Sequence, residues 1–241
     1  MSAPLWIFDL DNTLHDARPH IFPQINRAMT EYIRDHVGGG QGDAHGDARG
    51  DDRGRMTLEQ AGELRTHYWR TYGATLAGLV RHHGVHPPHF LWHTHQFESL
   101  ERMVVAERGL RQVLARLPGR KVILSNAPTH YAQAVIGILG IGPLFDAVYC
   151  MEQMRFRPKP DPSALRMVLR AEGVAPRRAV LVEVTLANLR SARRLGVRSV
   201  WISSQAAVPR WVDARLRSVL DLPGIARRFR TYVPGRRGTE C

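Results

Sequence analysis

Pro4-Leu5-Trp6-Ile7-Phe8-Asp9-Leu10-Asp11-Asn12-Thr13-Leu14 is an apolar run that stops abruptly at two acids spaced i, i+2. An uninterrupted apolar stretch this short is too brief for a helix and apolar on both faces, which predicts a strand buried inside a sheet. Four more runs of this kind follow: Lys121–Leu124 closed by Ser125-Asn126, Ala147–Tyr149, Ala179–Val182 closed by Glu183, and Ser199–Ile202 closed by Ser203. Between them Thr129–Leu139, Ser163–Glu172 and Leu186–Leu195 carry helical spacing. Asp161-Pro162 is an N-cap followed by proline in the first turn, and Gly140, Gly173 and Gly196 stand where helices end. Strand and helix alternating at this interval predict a Rossmann-like α/β core, a three-layer arrangement around a parallel sheet.

Residues 16–100 break the rhythm. Ile21–Val37, Thr57–Tyr72 and Ala77–His83 read as helices with no strand among them, so a helical insertion is expected between the first strand and the rest of the sheet. The core is then residues 1–15 and 101–241, and hinges are expected near Leu14–Arg18 and Leu100–Gly109. Within the insertion, Gly38–Arg55 (GGGQGDAHGDARGDDRGR) offers almost nothing to bury and reads as a mobile surface loop, without the spacing of a calcium loop. The arginine-rich segment Pro223–Cys241 reads as a solvated tail; a phosphate or nucleic-acid contact is its alternative.

The 241 residues carry 34 Lys+Arg against 22 Asp+Glu, a net charge of +12, and all the cations but Lys121 and Lys159 are arginines. A basic surface attracts phosphate-bearing partners, but the charge is spread along the chain and no nucleic-acid recognition motif accompanies it. The apolar fraction of 44% is that of a globular chain. No run approaches the roughly 18 residues of a membrane span, and acids interrupt the first residues too early for a signal peptide. Two cysteines, Cys150 and Cys241, make no disulfide framework, so a reduced, cytoplasmic protein is expected.

Ligand sites in open parallel sheets form beyond the carboxyl ends of the strands. There the sequence places Asp9, Asp11 and Thr13, then Ser125 and Asn126, then Lys159 within Arg157-Pro158-Lys159-Pro160, then Glu183. Paired carboxylates need a cation, and a hard ion such as Mg²⁺ suits them; hydroxyls, an amide and one ammonium complete a pocket for a phosphoryl group.

These segments resemble the four motifs of the haloacid dehalogenase superfamily phosphatases. FDLDNTL at Phe8–Leu14 is similar to the first, LSNA at Leu124–Ala127 to the second, RPKPDP at Arg157–Pro162 to the third and LVEVTLANLRSARRLGV at Leu181–Val197 to the fourth. The insertion has the size of a helical C1-type cap. Tyr72–Leu79 running into His82-His83, together with NTLHDA, Ile21 and Met29, resembles the pyrimidine 5′-nucleotidase branch. The resemblance implies Asp9 as a nucleophile forming an aspartyl-phosphate, and Asp11 as general acid and base. Asp11 also sets the chain apart from the dehalogenase branch, which lacks an acid there. Thr13 would steady the loop, Ser125 and Lys159 would grip the phosphoryl group, and Asn126 would bind beside Ser125 or shape the backbone. Mg²⁺ would be held by Asp9, the Asp11 carbonyl and Glu183. The implied substrate is a pyrimidine nucleoside monophosphate; another small phosphate ester, or a weakened enzyme that only binds phosphate, are the alternatives.

The fourth motif departs from the pattern. Where two adjacent acids are expected, Glu183 is followed by Val184, which offers no side-chain oxygen to a metal. His82, His83, His86, His89, His93 and His95 lie close together, but their spacing matches no helical zinc motif and Pro87-Pro88 interrupts them, so they read as cap surface and packing. His82, His83 and Tyr72 are the cap candidates for substrate specificity, with Tyr68 and Trp69 as further rings. Leu64 and Trp69 read as cap core.

Overall fold

The structure, a computed structural model, describes residues 3–37 and 56–230. The Gly38–Arg55 loop and the last residues of the arginine-rich segment lie outside them. Six strands form one parallel sheet: β1 (Leu5–Phe8), β2 (Lys121–Leu124), β3 (Ala147–Tyr149), β4 (Ala179–Glu183), β5 (Arg198–Ile202) and β6 (Ala214–Leu216). Their spatial order is β3-β2-β1-β4-β5-β6. β1 is therefore central, pairing Phe8 with Ile123 on one side and with Val182 on the other.

Both faces of the sheet are buried, and alternation along each strand divides the side chains between two cores. Trp6, Phe8, Ile123, Val180 and Val182 point to one; Leu5, Ile7, Val122, Leu124, Ala179 and Leu181 point to the other. Two covered faces explain why the strands read as continuous apolar runs. β6 was invisible in the sequence because it is a three-residue edge strand, Ala-Arg-Leu, with only Ala214 buried.

Between β1 and β2 stand α1 (Ile21–His36), α2 (Leu58–Tyr72), α3 (Thr75–His83), α4 (Pro87–Thr94), α5 (Leu100–Met103) and α6 (Leu110–Arg116). After β2, β3 and β4 come α7 (Thr129–Ile138), α8 (Pro162–Ala171) and α9 (Leu186–Arg194). Gly140, Gly173 and Gly196 have positive φ just past these helices, as expected. Thr57 caps α2 by accepting from the Gln60 N–H while Gln60 returns a bond to the Thr57 N–H.

Three readings need correction. Pro87-Pro88 does not break a histidine-rich segment: the prolines occupy the first turn of α4, where a missing N–H costs nothing. Trp69 is 60% exposed, because α2 turns Ala61 and Tyr68 inward and Trp69 falls beside that face; Leu64 is half-buried. The segment after Pro223 is not wholly solvated up to residue 230. Phe229 is buried edge-on to Trp6, with the Arg198 guanidinium over its ring and bonded to its carbonyl.

The two chain segments joining the helical insertion to the sheet meet, with the Asp16 N–H donating to the Val105 carbonyl at 2.7 Å. His95, where α4 ends, is buried against Tyr131 of α7. Burial is the main cause holding its pKa down at about 4, against the pull of Asp11 and a bond to the Leu91 carbonyl. The folded protein thus keeps His95 neutral while the unfolded chain protonates it below about 6.5. Its contribution to stability should be intact above pH 6.5, decline as pH falls, and level off near 4, a loss of about 3 kcal/mol. Urea unfolding at several pH values measures this, and His95→Gln should flatten the slope across that window.

Candidate active site

The carboxyl ends of β1 and β4 meet the ammonium of Lys159, which comes from the loop after β3, while the end of β2 holds the Lys159 backbone. Lys159 Nζ lies 2.6 Å from Asp9 Oδ1 and 3.0 Å from Glu183 Oε2. All three side chains are almost wholly buried. Asp9 follows β1 directly, and its N–H continues the sheet by donating to the Val182 carbonyl. Thr13 Oγ1 donates to Asp9 Oδ2 at 3.0 Å, so Thr13 steadies the carboxylate itself.

Lys159 is held from its backbone as well. Asn126 Nδ2 donates to the Lys159 carbonyl at 2.9 Å, and the Lys159 N–H returns a bond to Asn126 Oδ1 at 2.8 Å. The amide expected near a phosphoryl group is thus spent on aiming the lysine, in line with the backbone-shaping alternative. Ser125 follows β2 directly and is buried, with its Oγ accepting from the Ala127 N–H.

Glu183 accepts four bonds: Val184 N–H and Thr185 N–H on Oε1, Lys159 Nζ and Asn188 Nδ2 on Oε2. Its carboxylate is committed to orienting Lys159, which is not the outward-facing pose of a metal ligand. Asn188, in the first turn of α9, is a participant the sequence did not single out.

Electrostatics follows from two buried carboxylates sharing one ammonium. Burial, then the Glu183 charge, pushes Asp9 up to about 7 against the pull of Lys159. Burial acts the same way on Glu183, but Lys159 and the bonds from Thr185 and Asn188 outweigh it and hold the group low. Burial would lower Lys159, yet Asp9 and Glu183 raise it above the ordinary lysine range.

Asp11 sits on the same turn, with Asn12 in the left-handed region at φ 63° and its Oδ1 accepting from the Ala17 N–H. Tyr131 OH donates to Asp11 Oδ1 at 2.6 Å, and His15 Nε2 lies 2.8 Å from the same oxygen. Neither partner was anticipated, although His15 stands four residues beyond Asp11 and Tyr131 opens α7 just past Ser125. His15 Nδ1 is buried without a hydrogen-bond partner among the described residues.

Tyr72, His82 and His83 come together on α2 and α3. Tyr72 OH lies 2.5 Å from His82 Nε2 and Tyr68 OH 2.7 Å from His83 Nε2, while the Tyr68 and His82 rings stack. The turn joining these helices rests on the lysine segment: a Cβ at Gly73 would come within 2.6 Å of Pro160 Cδ, and its φ of 78° also demands glycine.

The model of the haloacid dehalogenase-like hydrolases matches residues 5–196, a span that contains every side chain around Lys159. The chain belongs to that family. A phosphoglycolate phosphatase of Pseudomonas putida is 26% identical over 92% of this chain and 79% of its own length. Among solved structures, a HAD phosphatase from Thermococcus onnurineus superposes with a TM-score of 0.61 at 17% identity, covering 93% of this chain and 97% of that one. CbbY from Rhodobacter sphaeroides, solved with phosphate, gives a TM-score of 0.59 at 21% identity over 91% and 96%. These two likenesses concern the fold. Family and curated relative together support an enzyme of the HAD phosphatase type.

Mg²⁺, the ion this family implies, meets a thinned donor set. Glu183 is engaged and Val184 is apolar, while the Val184 carbonyl accepts from Trp201 Nε1. Asp9 and the Asp11 main chain remain, where two buried carboxylates share a single ammonium. That set fits Mg²⁺, which keeps several waters and is often bound through one or two carboxylates plus a substrate phosphate. Val184→Asp, one residue beyond the end of β4, should raise Mg²⁺ affinity by at least about tenfold. Calorimetric titration decides it: an unchanged dissociation constant contradicts the deficit assigned to Val184.

Proposed function

We propose that the protein is a phosphomonoester hydrolase acting on a small substrate through an aspartyl-phosphate. The supporting observation is the Lys159 ammonium set between Asp9 and Glu183, with Asp11 on the same turn. An Asp9 carboxylate oxygen attacks phosphorus as the ester P–O bond breaks. The bond pair leaves on the alcohol oxygen, which takes a proton from Asp11. Asp11 then accepts a proton from water, whose oxygen attacks the same phosphorus and frees inorganic phosphate and the Asp9 carboxylate. Tyr131 and His15 hold Asp11 in place, and Lys159, aimed by Glu183 and Asn126, neutralises the phosphoryl oxygens. When bound by Asp9 and the Asp11 carbonyl, Mg²⁺ would supply further positive charge to those oxygens.

Residues 16–100 act in this reading as a cap over the site, moving about the crossing of Asp16 and Val105. Tyr72, His82 and His83 meet the substrate's non-phosphate end, as expected for rings stacking on a pyrimidine nucleotide; the seat of Gly73 on Pro160 supports their nearness to Lys159. The P. putida relative makes phosphoglycolate an equal candidate. Val184 and the fully engaged Glu183 favour a second reading, a weakened descendant that binds small phosphates without turning them over.

Phosphate release should be screened over pyrimidine nucleoside monophosphates, phosphoglycolate and sugar phosphates, with and without Mg²⁺. Mg²⁺-dependent release from at least one class is expected. Asp9→Asn should lose at least about a thousandfold, as removal of a nucleophile commonly does. Phosphate binding with no turnover would favour the second reading, and release that survives Asp9→Asn would overturn the first.

A further inference from the structure

Three imidazoles meet on the helical insertion, away from the Lys159 cluster. His36 is the last residue of α1, and His89 and His93 lie one helical turn apart on α4. Their ring centroids are separated by 4.1 Å (His89–His93), 5.3 Å (His36–His89) and 6.0 Å (His36–His93). Tyr32 forms the floor: its ring stacks on His36 at 4.2 Å and its hydroxyl lies 2.8 Å from His89 Nδ1.

Hydrogen bonding decides which nitrogens are available. His36 Nδ1 lies 3.1 Å from the Tyr32 carbonyl and His93 Nδ1 2.8 Å from the His89 carbonyl. A carbonyl only accepts, so both Nδ1 atoms carry the proton, and in each neutral ring the Nε2 lone pair is bare. His89 Nδ1 lies 2.8 Å from the Tyr32 hydroxyl, an oxygen able to accept its proton and so leave the Nε2 lone pair bare. Metal-bound histidines characteristically give their second ring nitrogen to a carbonyl or similar partner, which fixes tautomer and ring plane.

We propose that His36, His89 and His93 bind one divalent transition-metal ion, Zn²⁺ being the representative, through their Nε2 atoms. Imidazole suits Zn²⁺, Cu²⁺ and Ni²⁺ rather than Mg²⁺ or Ca²⁺. With a Zn–N bond of about 2.0 Å, two rings on a tetrahedral ion have centroids about 5 Å apart. The observed separations straddle that value. The side chains are not gathered at ligand distance as they stand. All three residues are exposed, however, and opening the His89–His93 pair by about 1 Å is within the reach of side-chain rotation. The ion would join the end of α1 to α4 and leave its remaining position to water.

The test is calorimetric titration of the full chain with Zn²⁺ alone, with thermal unfolding alongside. One ion per chain at these residues and a raised melting temperature are expected. His36→Gln and His93→Gln, surface changes that leave the fold's core untouched, should each weaken this site at least about tenfold. The control His67→Gln, an exposed histidine elsewhere on the insertion, should leave it unchanged. Zn²⁺ binding that is equally tight in the two cluster variants, or no weaker there than in the control, would overturn the assignment, as would absence of binding in the unaltered chain.

Discussion

One buried ammonium organises the catalytic end of this protein. Lys159 reaches back to Asp9 at the tip of β1 and Glu183 at the tip of β4, two strands that are neighbours in the sheet. A lysine this deep is tolerated only because both carboxylates meet it directly, and breaking such a buried pair commonly costs about 3–5 kcal/mol. Everything around it serves its aim: Asn126 brackets its backbone, while Asn188 and two backbone N–H groups lock Glu183. Because β1 is central, a change in the sheet's packing reaches Asp9 through Phe8 and the Val182 register.

The same arrangement gives the departure at 184 its meaning. With Glu183 saturated by donors, an acid at the following position would be the natural source of a further metal oxygen, and valine supplies none. Asp9 itself is raised to about 7 by burial and by the Glu183 carboxylate, which together outweigh Lys159. A phosphorylated substrate brings oxygens rather than cations, so the site's affinity for Mg²⁺ bears directly on whether the chain turns over its ligand or only holds it.

Much of this was legible in the sequence, for physical reasons. Strands covered on both faces must be apolar throughout, so β1 to β5 stood out as short uninterrupted runs, and residues closing β1, β2 and β4 are among those gathered on Lys159. β6 escaped because a three-residue edge strand carries almost no burial signal. Pairings between distant segments escaped too: that Tyr131 would reach Asp11, or Asn188 reach Glu183, depends on how α7 and α9 pack. The histidines were seen as a group, but the helix that carries two of them was not. Proline at the start of a helix was taken for a break, and only the helix places His89 and His93 on one face beside His36 of α1.

The central claim is that a phosphoryl group is built on Asp9 in the grip of Lys159. A crystal structure of the protein with beryllofluoride, which mimics an acyl-phosphate on a carboxylate, tests it most directly. The account predicts beryllium bonded to an Asp9 carboxylate oxygen, with Lys159 Nζ in hydrogen-bond contact with a fluorine. Beryllofluoride bound elsewhere, or Asp9 modified while Lys159 points away from it, would contradict the account.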